Sequence, residues 1–281
     1  MFMENVYEAI LARRSCRSYI PKPLPKAIKT KLLAYLKENG TGPFGNTVRF
    51  KFLELDSIDP KEAKKLGTYG VIRGARYFLA PVVPSGDKAL EDLGYCTESA
   101  ILYATQLGLG TCWLGGTFNR TGFLGTVSPS EGELMPAVIS VGRPSEKPTI
   151  VDRIFRATAH SSQRRPWDKL FYLGTPEKPL TEKAAGALQR PLEALRLAPS
   201  ASNKQPWRLV KERKKDILHF YVRRTDSNIS LYHDLQNVDI GIGICHFDLA
   251  SKESGLAGTW GISDPGIKTM DWEYVASWKK A

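Results

Sequence analysis

Apolar and polar positions follow two different periods along this chain, and the switches between them lay out its elements. Over Glu4–Ala12 (ENVYEAILA) apolar residues recur at helical spacing, which predicts a helix ending at Arg13. Lys26–Glu38 predicts another, with Leu32, Leu33 and Leu36 on one side and lysines elsewhere. Phe50–Leu55 and Tyr77–Val83 read as strands, the latter closed by Pro84-Ser85-Gly86. Leu93–Leu107 (LGYCTESAILYATQL) suits a largely buried helix that Gly108-Leu109-Gly110 terminates, and Ala137–Gly142 is a short apolar strand before Arg143-Pro144. Arg153–Asp168, polar and basic, reads as a crossover. Beyond it, helix, loop, strand and a Gly-rich helix recur as far as Trp260.

That recurrence extends to residue identities. At one constant offset Asp92-Leu93-Gly94 falls on Asp239-Ile240-Gly241, Gly108-Leu109 on Gly255-Leu256, and Trp113 on Trp260. Upstream, Pro23-Leu24 matches Pro179-Leu180, each opening a Lys-, Ala- and Leu-rich segment. GTGPFGNTVRFKFLEL (Gly40–Leu55) stands where the second copy has APSASNKQPWRLVKE. Matches in the same order predict an internal duplication, with halves 1–152 and 153–281. A chain of 281 residues has room for both.

Composition narrows the function classes. With 42% hydrophobic and 25% charged residues the chain has enough apolar side chains for a substantial core. It contains no run of about 18 apolar residues, and its first residues carry charge without a signal-peptide core. A cytoplasmic protein with no membrane partner is expected. Cys16, Cys96, Cys112 and Cys245 are dispersed, without paired spacing or nearby histidines, which argues against a zinc site or disulfide framework and for buried or reduced thiols. A net charge of +11 raises nucleic-acid binding as a possibility. The cations instead fall into separate groups (Arg13–Arg17, Lys26–Lys31, Arg143–Arg165, Lys211–Lys215, Lys279-Lys280) that no recognition motif organises, so no nucleic-acid partner is expected. His160, His219, His233 and His246 have no carboxylate or Cys partner at a suggestive spacing and read as structural or surface residues.

Three segments carry candidate chemistry. Arg13-Arg14-Ser15-Cys16-Arg17 is a compact cationic cluster able to neutralise a phosphate. Ala198–Arg208 (APSASNKQPWR) offers backbone amides and hydroxyls to a polar ring system. GLGTCWLGG (Gly108–Gly116) continues from a helix end into an apolar turn, where Gly115 and Gly116 let backbone approach a flat ligand. Trp113 and Trp207 read as core anchors.

In that order, with VGRPSEKP after them, these segments resemble the nitroreductase-like FMN flavoprotein family, and within it the subgroup in which two halves are fused in one polypeptide. The resemblance runs from about Tyr7 to Trp260. It implies an α+β fold: two homologous halves, each a mainly antiparallel sheet flanked by helices, packed as a pseudo-dimer. It also implies an enzyme that passes hydride from NAD(P)H through FMN to a small acceptor such as a nitro compound or a quinone, with no catalytic side chain and no metal.

The copies differ where the ligand is expected. Aligned through the Pro-Leu match, Arg13 falls on Lys169, Arg14 on Leu170, Ser15 on Phe171 and Arg17 on Leu173, so the second copy has lost most of its phosphate-binding charge. The first copy's GTGPFGNTVRF lacks the serines and Gln-Pro-Trp of the second. Gly261-Ile262-Ser263-Asp264 stands opposite Leu114-Gly115-Gly116-Thr117 and brings in a carboxylate. One FMN per chain is therefore expected, between the halves of a monomer. Arg13, Arg17 and Ser15 are the leading phosphate contacts; Arg14 either joins them or faces solvent. The resemblance puts Leu114, Gly115 and Gly116 near the reactive face. Pro199, Ser200, Ala201, Ser202 and Asn203 line the ring and ribityl chain, and Lys147 or Arg153 completes the pocket. A flavin-binding sensor or carrier without turnover is the alternative.

Overall fold

In the computed structural model, residues 5–145, 163–225, 231–269 and 271–281 are described. The first half runs α1 (Val6–Ala12), α2 (Lys26–Glu38), β1 (Arg49–Glu54), α3 (Pro60–Lys65), β2 (Tyr77–Pro84), α4 (Ala89–Gln106), β3 (Gly110–Leu114), α5 (Arg120–Val127), β4 (Glu133–Leu134) and β5 (Val138–Gly142). The second comprises β6 (Phe171–Leu173), α6 (Glu182–Ala185), α7 (Gln189–Leu197), β7 (Trp207–Lys211), β8 (Ile217–Arg223), α8 (Leu231–Glu253), β9 (Gly258–Gly261) and β10 (Trp272–Lys280). The boundary expected between 152 and 153, and most of the Arg153–Asp168 crossover, lie outside the described residues.

The α+β fold is present, and one winding occurs twice. The first sheet is ordered β1-β2-β5-β3 with β4 on β2, all antiparallel; the second is β6-β7-β8-β10-β9, antiparallel except for the parallel β6–β7 pair. In each half a long helix follows the second hairpin strand: α4 after β2, α8 after β8. Both strands of the β2–β5 pair bury their residues almost completely, because the sheet is covered on both faces. Gly110–Leu114, read from sequence as part of a turn, is a strand. Its ladder to β5 pairs Gly110 with Gly142 and Leu114 with Val138, and only then does the chain turn at Gly115.

The halves meet where α4 crosses α8. A Cβ placed on Gly94 would overlap the Val238 carbonyl, and one on Gly241 would overlap the Glu91 carbonyl. These are the sequence-matched glycines, each pressed on the backbone residue matched to the other's contact, so exchanging the halves exchanges the contacts. That reciprocity defines a two-fold interface, here within one chain. Two residues before each glycine, an aspartate of the same half anchors the loop ahead of β1 or of β7. Asp92 accepts hydrogen bonds from Phe44 N (3.0 Å), Asn46 N (2.9 Å) and Asn46 Nδ2 (2.9 Å); Asp239 accepts one from Ala201 N (2.9 Å).

Alanine at Gly94 or Gly241 must push the helix axes apart, so each is expected to destabilise the chain by about 1–3 kcal/mol or more. Gly125, exposed in α5 with nothing within 4 Å of an added methyl group, is the control. Gly125→Ala is expected to gain about 0.5–1 kcal/mol. Urea unfolding of the three variants checks the contrast.

Candidate functional site

The arginine cluster begins where α1 stops. Arg14 Nη1 donates to the Leu11 and Ala12 carbonyls, both at 3.0 Å, and so caps the negative end of α1 while remaining exposed. Arg13 turns inward. Its side chain is 8% exposed, with Nε 3.7 Å from Glu98 Oε1 on α4. Ser15 bridges Thr111 in parallel, and Cys16 N donates to the Thr111 carbonyl at 2.8 Å, so the segment runs along the edge of β3 that β5 does not occupy. The Arg17 carbonyl accepts from Arg73 N at 2.9 Å.

Glu98 holds several groups at once. Its Oε2 accepts from Trp113 Nε1 (2.7 Å), and its Oε1 faces His246 Nε2 (3.0 Å) as well as Arg13. His246 Nδ1 lies 3.0 Å from the Ala194 carbonyl, so both ring nitrogens face acceptors, and the wholly buried His246–Glu98 pair must hold one proton between Nε2 and Oε1. The sequence spacing hid this carboxylate partner, because Glu98 and His246 belong to different halves. Trp113, read as a core anchor, is also the hydrogen-bond donor that fixes Glu98.

From the second half comes the loop Ala198–Gln205. Three of its non-glycine residues, Ser202, Asn203 and Gln205, have φ of 48°, 56° and 49°, left-handed conformations that side-chain bonds must over-determine. Ser200 Oγ accepts from Gln205 N (2.9 Å), Asn203 Nδ2 donates to the Gln163 carbonyl (2.8 Å), and Asn203 Oδ1 accepts from Arg164 Nη1 (3.1 Å). Pro199, Ser200, Ala201 and Asn203 are half-buried and Ser202 is exposed. Arg164 also donates from Nε and Nη2 to the Leu197 carbonyl (3.3 and 3.0 Å), capping α7. Burial, then the charges of Arg13 and Arg196, push the Arg164 guanidinium down to about 10. Arg164 thus joins the two segments: it bonds Asn203 and feels Arg13. In the sequence it is one cation within a basic stretch, and only tertiary contact distinguishes it from its neighbours.

The glycine turn lies against the opposite half. A Cβ on Gly115 would come within 2.9 Å of Leu235 on α8, and Arg120 Nη2 holds the Gly115 carbonyl at 3.3 Å while Nη1 and Nη2 donate to Met135 and Pro136 carbonyls. Leu114 is buried and Gly116 exposed. Lys147 and Arg153 lie outside the described residues.

The matched position in the other seam is built differently. Leu170 and Phe171, aligned from sequence with Arg14 and Ser15, are wholly buried core residues. They lead into β6, which pairs with β7, the counterpart of β1, whereas Ser15 lies beyond β3, at the opposite edge of its sheet. The Lys169–Leu173 alignment is therefore corrected: this segment is not an eroded phosphate cluster but an added strand. Phe44 of the first-half loop meets Trp260 of the second half edge-on, ring centroids 6.2 Å apart. Asp264 is turned to Gly266 N (2.9 Å), closing its own turn.

Among the described residues no group of three or more His, Cys, Asp or Glu side chains is placed to hold a metal, and no helix is long and apolar enough to cross a membrane.

A family model described as "Putative TM nitroreductase" matches residues 5–251. The chain belongs to this nitroreductase family. A nitroreductase-like protein of Thermotoga maritima of known structure is 19% identical and superposes with a TM-score of 0.61, covering 99% of this chain and 94% of its own. A Clostridium novyi nitroreductase family protein (20% identity, TM-score 0.42) covers 54% of this chain and 91% of its own. A Desulfovibrio desulfuricans relative solved in complex with FMN (21% identity, TM-score 0.41) likewise covers 54% of this chain and 95% of its own. No curated protein matches. The full-length superposition on the Thermotoga structure agrees with the α+β nitroreductase fold read from the sequence.

Within this family member the matched aspartates are expected to respond oppositely to amidation. Burial raises both carboxyls, Asp239 well above its ordinary value with only the Ala201 amide opposing, and among the described residues its Oδ2 has no partner. A raised folded pKa gives stability that is full below the unfolded value of about 3.9 and is lost as pH rises through the folded value. Asp239→Asn keeps an acceptor for Ala201 and removes that loss, so its stability relative to wild type should increase as pH rises above the unfolded value of about 3.9. Asp92→Asn gives up the Oδ2 acceptor that Asn46 uses through two donors and should destabilise at neutral pH. Urea midpoints across pH distinguish the two.

Proposed function

We propose that the chain is an FMN-dependent oxidoreductase that takes hydride from NAD(P)H and delivers it to a small electrophilic acceptor such as a nitro compound or a quinone, with one FMN held between halves 1–152 and 153–281. The observation that carries this reading is the charge at the seam. Arg13 and Arg164 approach one another from opposite halves, Arg196 is already neutralised by Glu193 (2.6 Å from both Nε and Nη2), and Glu98 is shared with His246 and Trp113. Two half-buried cations brought together from opposite halves suit a phosphate dianion, which guanidinium groups meet with paired, charge-assisted bonds.

The family membership supports the same assignment, and the residues divide the task. Arg13 keeps its terminal nitrogens for the phosphate while Nε is held by Glu98; Ser15 and Arg17 supply a hydroxyl and a second guanidinium from the edge of β3. Pro199, Ser200, Ala201, Ser202 and Asn203 line the ring and ribityl chain from the other half, with Asn203 oriented by Arg164. Leu114, Gly115 and Gly116 bring backbone, without side-chain obstruction at the glycines, to the ring, and Arg120 fixes that turn. Lys147 or Arg153 completes the phosphate pocket. Bound FMN supplies the hydride transfer itself; the protein supplies position and positive potential. The matched seam, closed by Phe44 on Trp260, takes no second flavin. The chain acts as a cytoplasmic monomer.

Flavin released from reconstituted protein is expected at one per chain; two would overturn the single-seam reading, and none would overturn the site. Arg13→Ala and Arg17→Ala are each expected to weaken FMN binding at least tenfold, and Leu173→Ala, in β6, far less; equal losses would contradict the roles. Anaerobic NADH or NADPH is expected to bleach the bound flavin within turnover times. Bound flavin that neither nucleotide reduces would favour a sensor or carrier.

A further inference from the structure

The flavin reading gives Glu98 a task and leaves His246 without one. Both side chains are wholly buried, with Glu98 Oε1 and His246 Nε2 3.0 Å apart. The tautomer is fixed from the other side of the ring. Nδ1 lies 3.0 Å from the carbonyl of Ala194, in the last turn of α7. The Ala198 amide, four residues on, would close the helical ladder onto that carbonyl but donates to Leu195 instead (3.0 Å). A buried carbonyl without its helical donor needs another. Nδ1 therefore carries a proton and donates it to Ala194.

A ring protonated at Nδ1 turns either a second N–H or a bare lone pair toward Glu98. Against a bare carboxylate the lone pair would face another lone pair at 3.0 Å, so one further proton lies between Nε2 and Oε1. Whichever atom holds it, imidazolium with carboxylate or imidazole with carboxylic acid, the charges of the pair sum to zero. Trp113 Nε1 occupies Oε2 at 2.7 Å and adds no charge. Arg13 Nε stands further off, 3.7 Å from Oε1, and among the described residues Arg13 has no other carboxylate partner. Glu98 thus positions the guanidinium without cancelling its charge.

We propose that His246 is a positioning residue that sets ligand specificity: by neutralising Glu98 it leaves the charge of Arg13 undiminished, and the seam then selects a phosphorylated flavin over its dephosphorylated form. The inference rests on the flavin reading given above. Trp113 and His246 hold the carboxylate in place, Arg13 leans on it, and the guanidinium keeps its attraction for a dianion. With no proton to share at position 246, Glu98 would stand beside Arg13 as an anion, and the two charges would satisfy each other inside the protein. Riboflavin has no phosphate and gains nothing from that charge, so it serves as the internal reference for FMN.

Dissociation constants of the full chain for FMN and for riboflavin give the preference as a ratio. His246→Gln keeps a donor for Glu98 but no proton to share, and is expected to lower that ratio about tenfold. Glu98→Gln can donate its amide to Nε2 while its oxygen accepts from Trp113, so the sum stays at zero and the ratio is expected to remain within about threefold of wild type. The double variant is expected to recover most of what His246→Gln loses. A purely structural role predicts the reverse, because two disruptions of one buried network would compound. An unchanged ratio in His246→Gln, or a double variant no better than it, overturns the proposal. Nitrogen NMR of the wild-type His246 ring decides the point if the variants fail to fold: a proton on Nδ1 is expected, and a bare Nδ1 with the proton on Nε2 overturns the neutral pair. That measurement needs no flavin, so a chain that takes up neither flavin sinks the cofactor reading while the ring nitrogens still decide the pair.

Discussion

The close crossing of α4 and α8 is the constraint on which the rest of the chain depends. Packed helices ordinarily keep their axes about 8–10 Å apart, and glycine on both partners allows backbone to meet backbone. Because Gly94 rests on Val238 and Gly241 on Glu91, the crossing can neither slide nor rotate without breaking both contacts. Everything at the seam is measured from it. Asp92 and Asp239, just before the glycines, set the position of the two loops, and Glu98, one turn beyond Gly94, sets Arg13 and Trp113. A displacement of one helix would therefore move a loop of one half against an edge of the other.

From that common frame the two seams have taken different courses. The loop ahead of β1 is bound by Asp92 through three donors and puts Phe44 against Trp260; the loop ahead of β7 is bound by Asp239 through one and is held otherwise by Arg164, Gln163 and its own side chains. The first arrangement closes an apolar contact between halves. The second leaves hydroxyls and amides near a pair of cations. A duplicated chain needs only one of its interfaces to bind a ligand, and the other is then available to hold the halves together.

How far the sequence revealed this depends on how local the determining contacts are. α2 was legible at its full length and β2 and β5 to within a residue, because their apolar periods are long and their ends carry proline or glycine. The crossing glycines were legible as repeated identities, though not as a contact. α3 and α5 were missed: they are short, and their caps, Asp59 and Asn119, which accept from Lys61 N and Gly122 N, are residues that mark turns as readily as helix starts. Gly110–Leu114 was misread because paired glycines suggest turns, while its strand character comes from β5 on one side and Ser15 on the other. Lys169–Leu173 was misaligned because a Pro-Leu match nearby fixed an offset that the chain path does not follow. Glu98, His246 and Arg164 carried no signal, since each is defined by residues 30 or more positions away in the sequence.

Arg14 and Arg13 show why adjacent arginines are not equivalent. Arg14 satisfies the carbonyls at the end of α1 and stays in water, where its charge is well screened. Arg13 is nearly enclosed, and an enclosed guanidinium is costly unless countered. Glu98 meets that need only in part, because the same carboxylate shares a proton with His246, and Arg164 adds a second cation from the opposite side. Burial weakens screening between the like charges, so holding them side by side costs more here than it would in water. Any ligand that binds there only in the folded chain adds to its stability by mass action, more as its concentration rises above its Kd.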